Sequence, residues 1–222
     1  MSFVHQQLLV EMVKQSIYLH YLSALIDGDK PTCTSIVDNL VSEGTDIKEI
    51  YIGLLQKSMY RIGHLWEKSR ASVATEHVAT KITENILSML YPIVSATPKI
   101  GKSAVITCVD KEFHELGAKI IADYLEYKGF HTYYLGANVP LPEVSSMISE
   151  KKPELIGISA NLYVNLMRAF KFVEEIHLVA PQSQIIVGGQ AFVNEDAPDT
   201  RTLKNCRFIP SLDELDNLIA TL

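Results

Sequence analysis

The residues best suited to chemistry lie in one short polar run, which contains Asp110, Glu112 and His114 and ends at Gly117. The run follows an apolar, β-branched stretch typical of a buried parallel strand, and it precedes a stretch with helical apolar spacing. An imidazole on such a loop is a candidate metal ligand, whereas a histidine of the core would normally lie inside a helix or strand. The run therefore predicts a ligand-binding loop between a strand and a helix.

Two further segments place small residues at the ends of predicted strands. Gly157-Ile158-Ser159 is followed by Leu162, and the pair Gly188-Gly189 follows another buried run. The carboxyl ends of parallel strands face one crevice, so these loops should converge with the histidine loop. Taken singly, such glycines and serines more often serve turns and backbone hydrogen bonds, but their joint order favours a site. Neither Gly-x-Gly-x-x-Gly after the first strand nor a P-loop is present, which argues against ordinary dinucleotide or triphosphate sites.

A third group lies earlier in the chain. Trp66 is the only tryptophan, and nine residues separate it from the adjacent pair Glu76-His77. Helical periodicity places Trp66 near the end of one helix and the pair in the first turns of the next. Periodicity alone leaves open a packed core tryptophan and a histidine bonded across a helical bundle.

Two halves of different periodicity position these groups. Residues 1–96 carry four helical segments with short connections, which predicts an antiparallel four-helix bundle. Residues 101–222 alternate β-branched runs with helices, which predicts an α/β domain: a doubly wound, five-stranded parallel sheet of Rossmann-like, flavodoxin-like topology. The predicted strands are 104–109, 132–135, 155–159, 184–187 and 206–209, and the predicted helices are 4–25, 30–42, 47–66, 73–90, 114–127, 142–150, 165–178, 194–201 and 212–222.

Composition limits the class of protein. In 222 residues, 47% are hydrophobic and 21% are charged, as in ordinary globular proteins. A net charge of -6 gives no electrostatic footprint for direct binding of nucleic acid. The sequence lacks an apolar run long enough for a membrane span and begins without the pattern of a signal peptide, so we expect a cytoplasmic protein. Three widely spaced cysteines, Cys33, Cys108 and Cys206, fit reduced packing residues better than a disulfide framework or a zinc site.

The order of these motifs resembles the cobalamin-binding module shared by methionine synthase, corrinoid methyl carriers and light-sensing regulators. The resemblance implies that His114 replaces the benzimidazole of the cofactor as lower axial ligand of cobalt. Neutral imidazole is a good nitrogen donor for this metal, and a carboxylate on its other nitrogen, from Glu112 or Asp110, would orient it. Family patterns often place aspartate where this chain has Glu112. The resemblance further implies cobalamin contacts from residues that flank the ring and its nucleotide tail, namely Gly117, Ser159, Leu162, Gly188 and Gly189.

Trp66, Glu76 and His77 resemble the cap of adenosylcobalamin-dependent, MerR-type photoreceptor regulators, in which such side chains cover the upper face of the cofactor. Those regulators have a histidine directly after the tryptophan, where this chain has Glu67. They usually also have a DNA-binding domain before the bundle, which we do not expect here. The resemblance therefore predicts a sensor rather than an enzyme. Such a sensor would hold cobalamin between the cap and the α/β domain, with adenosylcobalamin favoured over methylcobalamin or hydroxocobalamin. It would regulate transcription in response to light, through a protein partner or a change in its homo-oligomeric state.

Other functions remain open at this point. The first alternative is a corrinoid methyl-carrier subunit that serves partner methyltransferases, with the cobalt doing the chemistry. A mutase is less favoured, because no substrate barrel accompanies the module. A degenerate protein that no longer binds cobalamin is a third class.

Overall fold

The structure, a computed structural model, describes the backbone of residues 3–193, 200 and 203–222, and the side chains from residue 14 onward within those ranges. The chain divides into two compact units, Met1–Tyr91 and Pro92–Leu222. Among the described helices, none combines the length and apolar character that crossing a membrane requires.

The first unit is built from the helical segments that the sequence predicts. Asp29 accepts a hydrogen bond from Thr32 N (3.1 Å) at the start of one helix, and Asp46 accepts one from Lys48 N (2.8 Å) at the start of the next. Such caps satisfy amide groups that have no partner within the helix. The helices are α1 (Phe3–Asp27), α2 (Lys30–Ser42), α3 (Ile47–Glu49), α4 (Lys57–Glu67) and α5 (Val73–Ser95).

The segment between α3 and α4, Ile50–Gln56, is π-helical. Its wider turn rotates all later residues about the helix axis, which a pattern based on 3.6 residues per turn does not anticipate. Leu55 and Ile62 are fully buried, whereas Trp66, near the end of α4, leaves 48% of its surface exposed. The structure therefore argues against a packed core tryptophan at position 66, which helical periodicity alone allowed.

The second unit contains the predicted five-stranded parallel sheet. The strands follow the order β2-β1-β3-β4-β5, which confirms the flavodoxin-like topology. They are β1 (Ser103–Cys108), β2 (His131–Gly136), β3 (Leu155–Ser159), β4 (Gln184–Gly188) and β5 (Cys206–Phe208). The helices between and after them are α6 (Leu116–Tyr127), α7 (Leu141–Lys151), α8 (Leu166–Val179) and α9 (Leu212–Ile219).

Helices cover both faces of this sheet. Val144 of α7 and Phe172 of α8 belong to one buried cluster with Val105 of β1. Successive side chains of a strand point to opposite faces, so the buried Ile106 lies on the other side. A side chain on Gly157 of β3 would require Ile106 to shift, because a Cβ there would lie 2.5 Å from Ile106 Cδ1.

Several predicted bounds differ from the structure, and one predicted helix falls outside the described residues. Helix α6 begins at Leu116 rather than at His114, because the residues around His114 are bonded to a side chain instead of to a helical turn. Helix α9 ends at Ile219 rather than at Leu222. The predicted helix 194–201 lies outside the described residues, except for residue 200. Cys33, Cys108 and Cys206 are buried and unbridged, as predicted.

Candidate functional site

The candidate site lies at the carboxyl ends of the strands, where the strand order reverses. Strand β1 lies between β2 and β3, and such a reversal opens a crevice in which α/β proteins bind ligands. Cys108 is paired in register with Ser159, and Ser159 with Gly188. The loops that follow β1, β3 and β4 therefore start side by side, as the sequence predicts.

A buried carboxylate joins two of these loops. Glu112 has no exposed surface. Its Oε1 accepts a hydrogen bond from His114 N (3.0 Å) and lies 2.7 Å from His114 Nδ1. Its Oε2 accepts hydrogen bonds from Asn161 N (2.8 Å), Leu162 N (2.9 Å) and Asn165 Nδ2 (3.0 Å). Of the two carboxylates considered as partners of the imidazole, Glu112 is the one that bonds to it.

The protonation of this pair follows from its hydrogen bonds. Burial alone would raise the pKa of Glu112, but the hydrogen bonds from His114, Leu162 N and Asn165 outweigh burial and lower the pKa to about 2. An ionised carboxylate only accepts hydrogen bonds, so His114 Nδ1 carries the ring proton. In the neutral imidazole, Nε2 then holds the lone pair that a metal requires, on a side chain that is 49% exposed. A carboxylate-oriented imidazole of this kind fits the cobalt ligand predicted from the sequence.

Two asparagines connect the remaining loops. Asn138, after β2, donates its N–H to Glu112 O (3.0 Å) and accepts from Lys111 N (2.8 Å). Asn161, after β3, accepts at Oδ1 a hydrogen bond from Gln190 N (3.1 Å), after β4. The loops that follow the first four strands therefore form one bonded network. No motif marks these asparagines in the sequence, although Asn138 has the left-handed backbone (φ 55°) for which asparagine is favoured.

The three predicted glycines differ in their surroundings. A Cβ on Gly189 would lie 2.2 Å from Ala160 O, and its φ is +103°, so the backbone itself requires glycine there. A Cβ on Gly188 would lie 3.6 Å from Ile209 O, which is an ordinary contact. Apart from its chain neighbours and the backbone of α6, no atom lies within 4 Å of a Cβ on Gly117. The space where a side chain of Gly117 would lie is therefore open, whereas Gly189 serves the packing of two loops.

Asp110 and α8 border the same loop. Asp110 Oδ1 lies 3.7 Å from Arg168 Nε, and Arg168 Nη1 donates to Asn165 Oδ1 (3.0 Å). Asp110 is thus paired with an arginine instead of with His114.

Exposed apolar side chains lie around the network. Large surface patches of this kind in monomers usually mark binding sites. The exposed side chains around this network come from the loops after β1 and β3 and from the first turn of α8. They are Phe113, Leu162, Tyr163, Val164 and Met167.

In the first unit, the structure brings two of the three predicted cap residues together. Glu76 Oε2 lies 2.6 Å from His77 Nδ1, and Glu76 Oε1 accepts a hydrogen bond from Thr80 (2.9 Å). Trp66 is on the preceding helix, and within the described part of the chain its indole is not hydrogen-bonded to Glu76 or His77. Glu67, next to Trp66, lies 3.7 Å from His64.

Comparison with known proteins gives matches in both units. Residues 20–91 and residues 102–201 each match a family model described as B12 binding domain. Trimethylamine corrinoid protein 1 of Methanosarcina acetivorans is 23% identical over 192 residues, which cover 84% of this chain and 88% of that protein. The HTH-type transcriptional repressor CarA of Myxococcus xanthus is 28% identical over 90 residues, or 40% of this chain and 31% of the repressor.

Among solved structures, the monomethylamine corrinoid protein of Methanosarcina barkeri has the same fold, with a TM-score of 0.81 at 14% identity. The superposition covers 94% of this chain and 99% of that protein. Similarity to the corrinoid proteins thus extends over most of the chain, whereas similarity to the repressor covers less than half of it.

Proposed function

We propose that this chain, which contains two B12-binding domains and takes cobalamin as its cofactor, is a corrinoid subunit that carries methyl groups for a partner methyltransferase. The observation that carries the proposal is the extent of the match to a trimethylamine corrinoid protein, 84% of this chain and 88% of that protein. The sensor function predicted from the sequence has weaker support, because the match to a transcriptional repressor covers only 40% of this chain.

In this proposal the chain holds the cofactor and orients it, and the bound cobalt supplies the methyl-transfer chemistry. His114 would ligate the metal through Nε2, and Glu112 would keep the imidazole in the required tautomer. Ser159 and Gly188 would border the nucleotide tail, because small residues leave room beside their strands, and Gly189 would shape the adjoining loop against which the tail lies. Leu162 and Gly117 would contact the cofactor at the edge of the same loops.

The test measures methyl transfer by the holoprotein. The chain is loaded with methylcobalamin and incubated in the dark with a methyltransferase of a methylamine system and a thiol acceptor. Methylation of the thiol well above the rate with free methylcobalamin supports the proposal. A rate equal to that of the free cofactor, for a holoprotein shown by its spectrum to be loaded, contradicts it.

A second candidate is a cobalamin-dependent sensor. The observation in its favour is the half-exposed Trp66 together with the Glu76-His77 pair at 2.6 Å, in a chain that resembles a repressor over part of its length. The sensor predicts that green light changes both the absorption spectrum and the elution volume of the adenosylcobalamin-loaded protein. An elution volume that is the same in the dark and after illumination argues against it.

A further inference from the structure

A chain of hydrogen bonds leads from the imidazole of His114 to the surface of α8. It runs from His114 Nδ1 to Glu112, from Glu112 Oε2 to Asn165 Nδ2 at 3.0 Å, and from Asn165 Oδ1 to Arg168 Nη1 at 3.0 Å. We propose that Arg168 is a positioning residue, which sets the orientation of His114 by holding the amide of Asn165. The proposal rests on the proposed function only in taking His114 as the residue that faces the cofactor.

The chemistry of Arg168 determines which way the amide of Asn165 points. Asn165 is 98% buried, so both ends of its amide need partners within the protein. A guanidinium only donates hydrogen bonds, and therefore it can satisfy only the oxygen of the amide. The nitrogen must then face the carboxylate of Glu112, which only accepts. The two charged groups thus select one of the two orientations of the amide.

Arg168 makes a second contact that a simpler cation would not make together with the first. Its Nε lies 3.7 Å from Asp110 Oδ1, while Nη1 reaches Asn165. The rigid fork of a guanidinium can engage two acceptors at fixed geometry, whereas the ammonium of lysine is a single point. Arg168 therefore ties the loop after β1, through Asp110, to the segment that supplies the amide.

Loss of Arg168 would leave a buried amide oxygen without its donor. The Asn165 amide would then be held only through its nitrogen, by Glu112 Oε2 and Lys111 O (3.3 Å), and its hydrogen bond to Glu112 would loosen. The carboxylate would hold the imidazole less firmly through Oε1. We expect Arg168→Gln to increase solvent exchange of the His114 Nδ1 proton about tenfold, the effect of losing one hydrogen bond to a buried polar group.

The first test uses the protein without cofactor. Histidine is labelled with nitrogen-15, and the Nδ1–H resonance of His114 is assigned by its absence in His114→Gln. Arg168→Gln and Arg168→Lys should broaden or remove this resonance, because neither side chain can make both contacts. The matched control is Lys171→Gln, one turn further along α8, where Lys171 pairs with the exposed Glu175 at 3.6 Å and, among the described residues, with no other carboxylate. An unchanged resonance in Arg168→Gln would overturn the proposal.

The second test asks whether Arg168 acts through Asn165. If it does, Arg168→Gln adds no further exchange in an Asn165→Ala background, because the connection is already broken. Additive effects of the two substitutions would overturn this route. A change in melting temperature without a change in the resonance would assign Arg168 a merely structural role, and would also overturn the proposal.

The third test loads the same variants with cob(II)alamin. Splitting of the electron paramagnetic resonance signal by nitrogen-15 from labelled histidine reports ligation by an imidazole. We expect the ligated fraction to fall in Arg168→Gln and to stay at the wild-type value in Lys171→Gln. If wild-type protein shows no splitting from histidine, the ligation assumed in the proposed function is wrong, while the cofactor-free measurement still decides the role of Arg168.

Discussion

At the scale of single residues, the carboxylate of Glu112 should contribute to stability through several hydrogen bonds. It accepts hydrogen bonds from two backbone amides after β3, from Asn165 and from His114. Each buried donor left without an acceptor costs roughly 1–3 kcal/mol. We therefore expect Glu112→Ala to lower the free energy of unfolding of the cofactor-free protein by about 3 kcal/mol, measured by urea denaturation.

The control for this substitution is Glu174→Ala on the exposed side of α8. A surface substitution of this kind should change stability by less than about 0.5 kcal/mol. Equal losses in the two variants would show that the network around Glu112 contributes nothing beyond a surface glutamate.

The structure selects Glu112 where the sequence left Glu112 or Asp110 as the partner of His114, and it adds supporting residues that the sequence did not indicate. Glu112 and His114 are two positions apart, so their pairing follows from local spacing, and the structure bonds them at 2.7 Å. Asn165 lies 53 residues from Glu112, and only the pairing of β1 with β3 brings it near. Arg168 is connected to Glu112 through its hydrogen bond to Asn165. Contacts that depend on strand pairing leave no local pattern, which is why neither residue is predictable from a motif.

At the scale of elements, the packing of the loop after β4 on the loop after β3 depends on Gly189. A Cβ there would lie 2.2 Å from Ala160 O, at a positive φ. Backbone strain of this kind costs of order 1–3 kcal/mol. We expect Gly189→Ala to reduce the free energy of unfolding by at least about 2 kcal/mol, measured by chemical denaturation.

The neighbouring glycine provides the matched control. Gly188→Ala adds the same methyl group at 3.6 Å from the nearest atom, Ile209 O, and it should be tolerated in the absence of cofactor. If both substitutions destabilise equally, the close approach to Ala160 is not the cause.

The tie between α6 and α9 should be sensitive to alkaline pH. Tyr124 donates to both carboxylate oxygens of Asp216, at 2.8 and 2.9 Å. Burial, followed by this bond to a carboxylate, raises the pKa of Tyr124 from 10.0 to about 12. The folded state therefore prefers the neutral phenol, so its contribution is complete below pH 10 and is lost as the pH rises towards 12.

Tyr124→Phe removes this contribution. We expect it to lower the free energy of unfolding by about 2 kcal/mol at pH 8, the value of a hydrogen bond to a charged group. Urea denaturation should show the gap between wild type and variant narrowing between pH 10 and pH 12. A gap that stays constant across this range would mean that ionisation of Tyr124 does not weaken the tie.

The elements themselves follow from periodicity more fully than their details do. All five strands and the order of the sheet agree with the alternation of β-branched runs and helices, because burial on both faces demands that pattern. The π-helical turn at Ile50–Gln56 could not be predicted from periodicity, because its buried residues suit an ordinary α-helix equally well. These residues are Ile50, Tyr51, Leu54 and Leu55.

At the scale of the whole molecule, the three cysteines report on unfolding. Burial raises the pKa of Cys33 to about 11 and that of Cys108 and Cys206 to about 12, so the native thiols should be inert at neutral pH. Cys108 and Cys206 belong to strands of one sheet. We expect both to become reactive towards a thiol reagent at the same urea concentration, as located by peptide mass mapping. Separate transitions for these two would show that the sheet does not unfold as one unit.

The bonds that join the loops after β1 and β3 have a consequence for biosynthesis. The acceptor on Glu112 and its donors on Asn161 and Asn165 are separated by 49 and 53 residues. On the ribosome, the histidine loop therefore emerges long before the segment that secures it, and closing such a span is slow. We expect a nascent chain that ends before β3 to leave the loop unformed, so that cofactor is loaded only after synthesis has passed the start of α8.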